Sequence, residues 1–321
     1  MKIFIENSDK NINELKGKSL FCARLANEFR LNGIKVTGNL ESKTDISLNV
    51  IKLKHKKSAK KILRLDNVWH DTAKQWEQKN RNIQESLKKA DGVIYQSEFA
   101  RTMCNKFLGE PDCPSIVIFN GSDPNYYKNI TPIKEPYEHI FLAFSKWRPH
   151  KRLRDIIESF LLAEIPNSIL IVAGHLDRSG IDKKDALKYF SKFNTRWIGM
   201  VEHSILASYL KIARASIHIC WFDACPNSVV EAIVAGVPVI TNNTGGTFEI
   251  VGPSGGYILY LDEPYDYKPV DLYNPPPINR NKIAEALWDC IEDPPVIDCE
   301  HVDIKNIAKQ YLDFMEKVFY G

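Results

Sequence analysis

Cys220-Trp-Phe-Asp223-Ala-Cys-Pro226-Asn227-Ser228-Val229-Val-Glu231-Ala-Ile-Val-Ala-Gly236-Val-Pro-Val-Ile-Thr-Asn242-Asn-Thr-Gly245-Gly246-Thr-Phe-Glu249-Ile-Val251 alternates strand, turn and helix signals within 32 residues. Asp223 closes one strand, Asn227–Ala235 reads as a helix stopped by Gly236, and Val237–Thr241 resumes as strand. The helix opens at Pro226-Asn227-Ser228, where unpaired N–H groups and the helix dipole favour an anion such as phosphate. Glu231, one turn in, is placed to accept hydrogen bonds from a diol such as a ribose. Asn242 to Gly246 makes a second loop-to-helix turn, in which Gly245 and Gly246 permit close backbone approach to a ligand. An ordinary N-capped strand-helix-strand explains the helix, but not an acid eight positions before Glu231.

The same alternation extends to both sides. Downstream of a non-periodic segment, 127–138, strands are expected at Ile140–Phe144, Ile169–Ala173, Trp197–Val201 and Ser216–Cys220, separated by helices at Leu153–Leu162, Asp185–Phe193 and Leu206–Ala213. Upstream, Lys2–Ile5 is a strand, and Leu20, Leu25, Ala26, Phe29 and Leu31 carry helical spacing to Gly33. Strands then follow at Ile34–Val36, Ile46–Ile51, Ile62–Leu65, Gly92–Tyr95 and Ile116–Phe119, with a polar helix near 73–90 and another that Ser97 caps. Strands alternating with helices imply right-handed parallel units, hence an α/β chain of two Rossmann-like domains facing each other across a cleft. The expected division is 1–126, a linker at 127–138, 139–302, and a final helix at 303–321. That helix carries Ile304, Ile307, Ala308, Tyr311, Leu312 and Met315 as one apolar stripe that crosses back onto the first domain. Five prolines in 263–279 make that segment a surface loop outside the chemistry.

At 321 residues the chain is too long for a lone binding motif, and 44% hydrophobic with 26% charged residues excludes disorder for its bulk. The net charge of +3 conceals +8 in residues 1–62, where six lysines crowd positions 52–61. That stretch reads either as a solvated loop or as a surface for lipid, polymer or nucleic-acid phosphates. Seven cysteines without a Cys-x-x-Cys pair fit a reducing cytoplasm, and no apolar run approaches a membrane span. A cytoplasmic protein is expected, with the lysine run available for peripheral contact with an anionic surface.

The spacing from Asp223 to Glu231 resembles the acid-x7-acid signature of glycosyltransferase family 4, the retaining GT-B family also described as glycosyl transferases group 1, and the likeness runs along nearly the whole chain. Phe144-Ser-Lys146-Trp-Arg-Pro-His-Lys151 is similar to the family's basic pair, Asn120-Gly121-Ser122-Asp123 to its interdomain Asn-Gly-x-Asp, and Gly245-Gly246 with Glu249 to its Gly-Gly-x-x-Glu turn. Tyr95-Gln-Ser-Glu-Phe99 looks like the strand-to-helix step before these. The chain departs from the pattern in four places. Asp223 replaces the usual Glu, Lys146 replaces a common Arg, the N-terminal Gly-Gly loop has shrunk to Gly17-Lys18, and the N-domain histidine has His70 as its candidate and Asp66 as its rival.

The resemblance implies a GT-B enzyme of the hexosyltransferase type that moves a sugar from UDP or GDP to a glycan, lipid-linked or small acceptor with retained configuration. Asp223, Lys151, Lys146 and His70 are its implied catalytic residues, and Glu231, Asn227, Ser228, Val229, Gly17, Met200, Gly245 and Gly246 its donor-binding ones. The absence of an Asp-x-Asp pair implies no metal, and no cofactor beyond the nucleotide-diphosphate sugar as co-substrate. Competing readings are DNA glycosylation by the same fold, a non-catalytic GT-B protein that binds sugar nucleotides, and a sugar-nucleotide epimerase. The near-neutral overall charge disfavours nucleic acid as a partner without excluding it.

Overall fold

The structure, a computed structural model, describes residues 1–10, 15, 17–260 and 265–321. Pro264, part of the expected proline-rich loop, lies outside the described residues. Two parallel six-stranded sheets follow one another. The first comprises β1 (Lys2–Ile5), β2 (Lys35–Thr37), β3 (Thr44–Val50), β4 (Ser58–Leu65), β5 (Gly92–Tyr95) and β6 (Ser115–Val117), in the order β2-β1-β3-β4-β5-β6. Its helices are α1 (Lys18–Leu31), α2 (Trp76–Leu87) and α3 (Glu98–Leu108), and the short α4 (Pro124–Lys128) leads out of the domain.

The second sheet holds β7 (His139–Phe144), β8 (Ser168–Ala173), β9 (Thr195–Trp197), β10 (Ala213–His218), β11 (Val239–Asn242) and β12 (Gly256–Leu259), with α5 (Leu153–Ala163), α6 (Lys183–Phe190), α7 (His203–Leu210), α8 (Asn227–Val234), α9 (Thr247–Val251) and α10 (Arg280–Glu292). Its order, β12-β11-β10-β7-β8-β9, reverses direction between β7 and β10. Parallel sheets open a crevice at such a switch point, outside the carboxyl ends of their strands. The turns after β7 and β10 carry Lys151 and Asp223.

Several elements start earlier than the apolar pattern indicates, α6, β9 and α7 among them. The α6 helix begins at Lys183 because the Asp182 carboxylate caps it, accepting from the Asp185 N–H at 2.8 Å. The β9 strand occupies Thr195–Trp197 rather than 197–201, and α7 spans His203–Leu210 rather than 206–213, since Ala213 pairs with Ile140 as the first residue of β10. The expected cap of α3 is present, with Ser97 Oγ accepting from the Ala100 N–H.

The final helix α11 (Ile304–Tyr320) leaves the second domain and completes the core of the first. Ile304, Ile307, Ala308, Tyr311, Phe314, Met315 and Val318 are buried there among Ile3, Phe21, Leu25, Ile46, Leu48 and Ile94. Each large apolar side chain so buried contributes about 2 kcal/mol. Two glycines allow this close seat. A Cβ at Gly92 would lie 2.9 Å from Val318, and one at Gly121 would lie 3.0 Å from the Ile304 backbone. At the crossing, Ser122 and Asp303 form an isolated parallel bridge, so outgoing and returning chains run side by side. Among the described residues no helix is long and apolar enough to cross a membrane.

The lysine-rich segment 52–61 is divided between a loop and a strand. It runs from the carboxyl end of β3 to the amino end of β4, so Lys60 and Lys61 stand in β4 at the edge away from the crevice. Lys54 pairs with Glu6 at 2.6 Å and Lys57 with Glu41.

Candidate active site

Lys151 ends a short helical turn, Pro149–Lys151, after β7, and its Nζ donates to Asp223 Oδ2 at 2.7 Å. Their side chains are only 15% and 24% exposed, so the pair is shielded from water on most sides. Burial by itself raises the Asp223 carboxyl, but the Lys151 ammonium outweighs it and holds the group below its ordinary range. Burial likewise opposes the charge on Lys151, and Asp223 overcomes it, so the ammonium persists above its ordinary range. Burial and the Lys151 charge push the His150 imidazole down to about 4 and that of His218 to about 3, which leaves both neutral at physiological pH.

Glu231, one turn into α8 after the Pro226 cap, is buried and faces the first domain rather than open cleft. Arg24 from α1 donates to its Oε1 at 2.9 Å, and His203 Nε2 stands 3.4 Å from the same oxygen. The Arg24 guanidinium overrides the upward effect of burial and keeps the Glu231 carboxyl below the usual glutamate range. Neither Arg24 nor His203 figures among the sequence-derived site residues. The available signal was a cation three positions after the buried Phe21, on a helix whose other inward positions are apolar.

The start of α8 is tied to both loops of the first domain. Asn227 Nδ2 donates to the Gly17 carbonyl at 2.9 Å, and Asn227 Oδ1 accepts from Asn120 Nδ2 at 2.8 Å. Asn120 also donates to the Cys225 carbonyl, while its own carbonyl accepts from the buried Arg64. Arg64 in turn is bound to Asp66 at 2.6 Å and to the Tyr311 hydroxyl at 3.0 Å. One polar chain therefore runs from α11 through β4 to the first turn of α8. In that turn the Val229 N–H is already bonded to the Pro226 carbonyl at 3.1 Å, with the N–H groups of Asn227 and Ser228 ahead of it.

The two glycines serve protein neighbours. A Cβ on Gly245, whose φ is +77°, would stand 2.8 Å from the Asp223 carbonyl, and one on Gly246 would stand 2.2 Å from the Ala224 carbonyl and 2.4 Å from Ser97 Oγ. The turn is thus packed against the Asp223 loop and the cap of α3, and the Gly246 N–H holds the Asp223 carbonyl at 2.7 Å. Glu249, three residues on, accepts from the N–H groups of Glu98 and Phe99 at 2.6 and 2.8 Å, so a carboxylate of the second domain caps a helix of the first.

His70 is buried, its Nδ1 lies 3.2 Å from the Val68 carbonyl, and its ring meets Phe222 edge-on. Burial lowers its pKa, so the ring is neutral. The segment after 264 enters this region as well. Val270 exchanges backbone hydrogen bonds with His70 and Thr72, and the Tyr265 ring lies 4.2 Å from that of Phe222. The proline-rich stretch is therefore a strap joining the domains beside the site, not a remote loop. Lys146 and Met200 are both exposed, on the loops after β7 and β9.

Residues 128–265 match the family model described as Glycosyl transferases group 1. No curated protein sequence matches the chain. Among solved structures, sucrose-phosphate synthase from Thermosynechococcus elongatus superposes with a TM-score of 0.72 at 13% identity, covering 99% of this chain and 98% of that one. HepE of Anabaena in complex with UDP gives 0.68 at 14%, covering 98% and 99%. AviGT4, a glycosyltransferase involved in avilamycin A biosynthesis, gives 0.67 at 17%, covering 100% and 98%. At these identities the superpositions establish the fold, which is GT-B over the whole chain.

Proposed function

We propose that this chain, a GT-B glycosyltransferase of the hexosyltransferase type whose residues 128–265 belong to glycosyl transferases group 1, moves a sugar from a nucleoside-diphosphate donor to a hydroxyl of a glycan, lipid-linked or small acceptor. The observation that carries the reading is the meeting of Lys151, Asp223 and the first turn of α8 at the switch point of the second sheet, with Glu231 one face deeper. HepE of Anabaena, solved with UDP and with UDP-glucose, shares the frame and supports UDP as the carrier.

As the glycosidic bond breaks, negative charge grows on the departing diphosphate. The Lys151 ammonium and the N–H groups of Asn227 and Ser228 supply positive potential there without reorganisation, in a site where water is scarce and each charge acts at greater strength. Glu231 takes the ribose diol and Asp223 the hydroxyls of the sugar. Asp223, shorter by one methylene than a glutamate, is held by Lys151, so it orients the sugar rather than attacking it. We infer retention of configuration by front-face attack, in which the leaving phosphate oxygen accepts the proton of the acceptor hydroxyl. With cations and the helix dipole acting on the diphosphate, transfer needs no metal.

A panel of UDP- and GDP-sugars, read by thermal shift and by release of free nucleoside diphosphate, tests this reading. One donor should raise Tm by several degrees in large excess over Kd, and Glu231→Ala should abolish the rise. A flat response to every donor overturns the proposal. Turnover that EDTA abolishes and Mg²⁺ restores overturns metal independence.

A further inference from the structure

β10 delivers two side chains that the transfer reaction leaves idle. Ile217 and Ile219 turn into the core on one face of the second sheet, so His218 and Cys220 project to the other, where the reversal through Trp221 and Phe222 folds Asp223 back toward them. One ligand atom from each of His218, Cys220 and Asp223 lies within 4.8 Å of the other two. His218 is 5% exposed, and its Nε2 points at Asp223 Oδ2 from 4.0 Å without a hydrogen-bond partner. A buried imidazole nitrogen in that condition marks a place where a partner belongs. Cys220 Sγ, a weak donor, gives its proton to the Phe222 carbonyl at 3.2 Å.

We propose that His218, Cys220 and Asp223 form a binding site for a borderline-soft divalent cation of the Zn²⁺ class, and that the bound cation inhibits the enzyme by displacing Lys151 from Asp223. One imidazole, one thiolate and one carboxylate make a donor set suited to Zn²⁺ and unsuited to Mg²⁺ or Ca²⁺, with a fourth tetrahedral position left to water. Loading breaks the Cys220 S–H bond, forms a metal–sulfur bond and releases the proton to solvent, with no change of oxidation state. The cation and the Lys151 ammonium then compete for the single Oδ2 that Lys151 holds at 2.7 Å. Two positive centres repel there, and Lys151, on a flexible stem in the turn after β7, is the one free to leave. The cation is therefore an antagonist of the donor site rather than a cofactor. The inhibitory half of this proposal rests on the function proposed above; the binding half does not.

Cobalt(II) titration of the chelator-stripped full chain is the test, because a thiolate ligand produces a charge-transfer absorption in the near ultraviolet. The wild type should give that band at one equivalent and lose it to Zn²⁺. Cys220→Ser should abolish the band, His218→Gln should weaken binding about tenfold or more, and Lys151→Met should tighten it. A wild type without the band overturns the site, and so does a band that survives intact in folded Cys220→Ser. Unchanged affinity in Lys151→Met overturns the competition, and this variant decides the matter even if Cys220→Ser fails to fold. Tight cobalt binding by an enzyme whose transfer Zn²⁺ does not slow overturns the inhibition alone. A protein that binds cobalt but transfers no sugar contradicts the function and leaves the metal site standing.

Discussion

Arg24 and Glu231, separated by 207 residues and carried by different domains, form a nearly buried ion pair at 2.9 Å on the carboxylate proposed to hold the donor's ribose. The donor and Arg24 thus contend for one group. Replacing Arg24 with Gln removes the contender and leaves a buried carboxylate with His203 as its remaining neighbour, at a cost of about 3 kcal/mol to the ligand-free protein. Urea unfolding with and without nucleotide sugar should show a variant that is less stable alone and gains more from the donor than the wild type gains. Equal gains in the two proteins would mean that Arg24 and the ribose do not share Glu231.

The same pair sets an acid limit. The folded-state carboxyl of Glu231 titrates below its ordinary value, so its contribution to stability is complete above about pH 5 and is lost as pH falls through the depressed value. In Arg24→Gln, His203 opposes burial without the guanidinium, and that carboxyl rises relative to the wild type. Acid destabilisation should therefore begin at a higher pH in the variant, which urea midpoints collected from pH 7 down to pH 4 will show. Superimposable pH profiles would refute the assignment.

Lys151→Ala removes the cation proposed to face the developing diphosphate charge and leaves Asp223 without its lysine partner. Loss of one preorganised charge at such a site costs about 10²–10³ in rate. We expect kcat/KM to fall in that range, and an unchanged value would remove Lys151 from the mechanism.

Gly246→Ala puts a methyl group 2.2 Å from the Ala224 carbonyl and 2.4 Å from Ser97 Oγ, across the boundary between the domains. Backbone must shift to admit it, at about 1–3 kcal/mol. Gly236, unlike Gly246, sits at positive φ (+79°), but a Cβ there meets nothing within 4 Å, so the corresponding alanine costs only about 1–2 kcal/mol of backbone strain. Donor affinity should drop in Gly246→Ala and hold in Gly236→Ala.

Glu249→Ala frees the N–H groups of Glu98 and Phe99 that the carboxylate now accepts, while Ser97 still caps α3 at Ala100. A lost cap costs about 1–2 kcal/mol. Because cap and helix belong to different domains, hydrogen exchange at Glu98 and Phe99 should quicken even where the global unfolding midpoint moves little. Protection that persists in the variant would show that another group caps the helix.

The residues nearest the chemistry were legible where function and local pattern coincide. The 220–251 stretch announces its strand, its helix and its two acids because spacing along one chain is what periodicity encodes. Contacts between distant segments carry no such mark. Glu249 reads as part of a turn, and nothing local points it at the N-terminus of α3. Arg24 reads as one polar residue in an amphipathic helix until Glu231 appears opposite it. The strap at Val270 pairs through backbone, which side-chain pattern does not reveal. The α10 helix was visible in principle, with Ile283, Leu287 and Cys290 at helical intervals behind the capping side chain of Asn279, but the run of prolines before it obscures where regular structure resumes. Family likeness supplied Lys146 as half of a basic pair, whereas the fold leaves it exposed and gives the ion pair to Lys151.

Burial of α11 in the first domain also orders events in time. On the ribosome, β1 to β6 emerge as a sheet lacking one side of its covering, and roughly 190 further residues must be made before Ile304 to Val318 arrive to seal it. At about 5–20 residues per second, that interval lasts about 10–40 s. Through all of it, Ile3, Ile46, Leu48 and Ile94 face water or a chaperone. The domain synthesised first is thus the one that matures last, because its core cannot close until the second domain has been made and Ile304 to Val318 follow it.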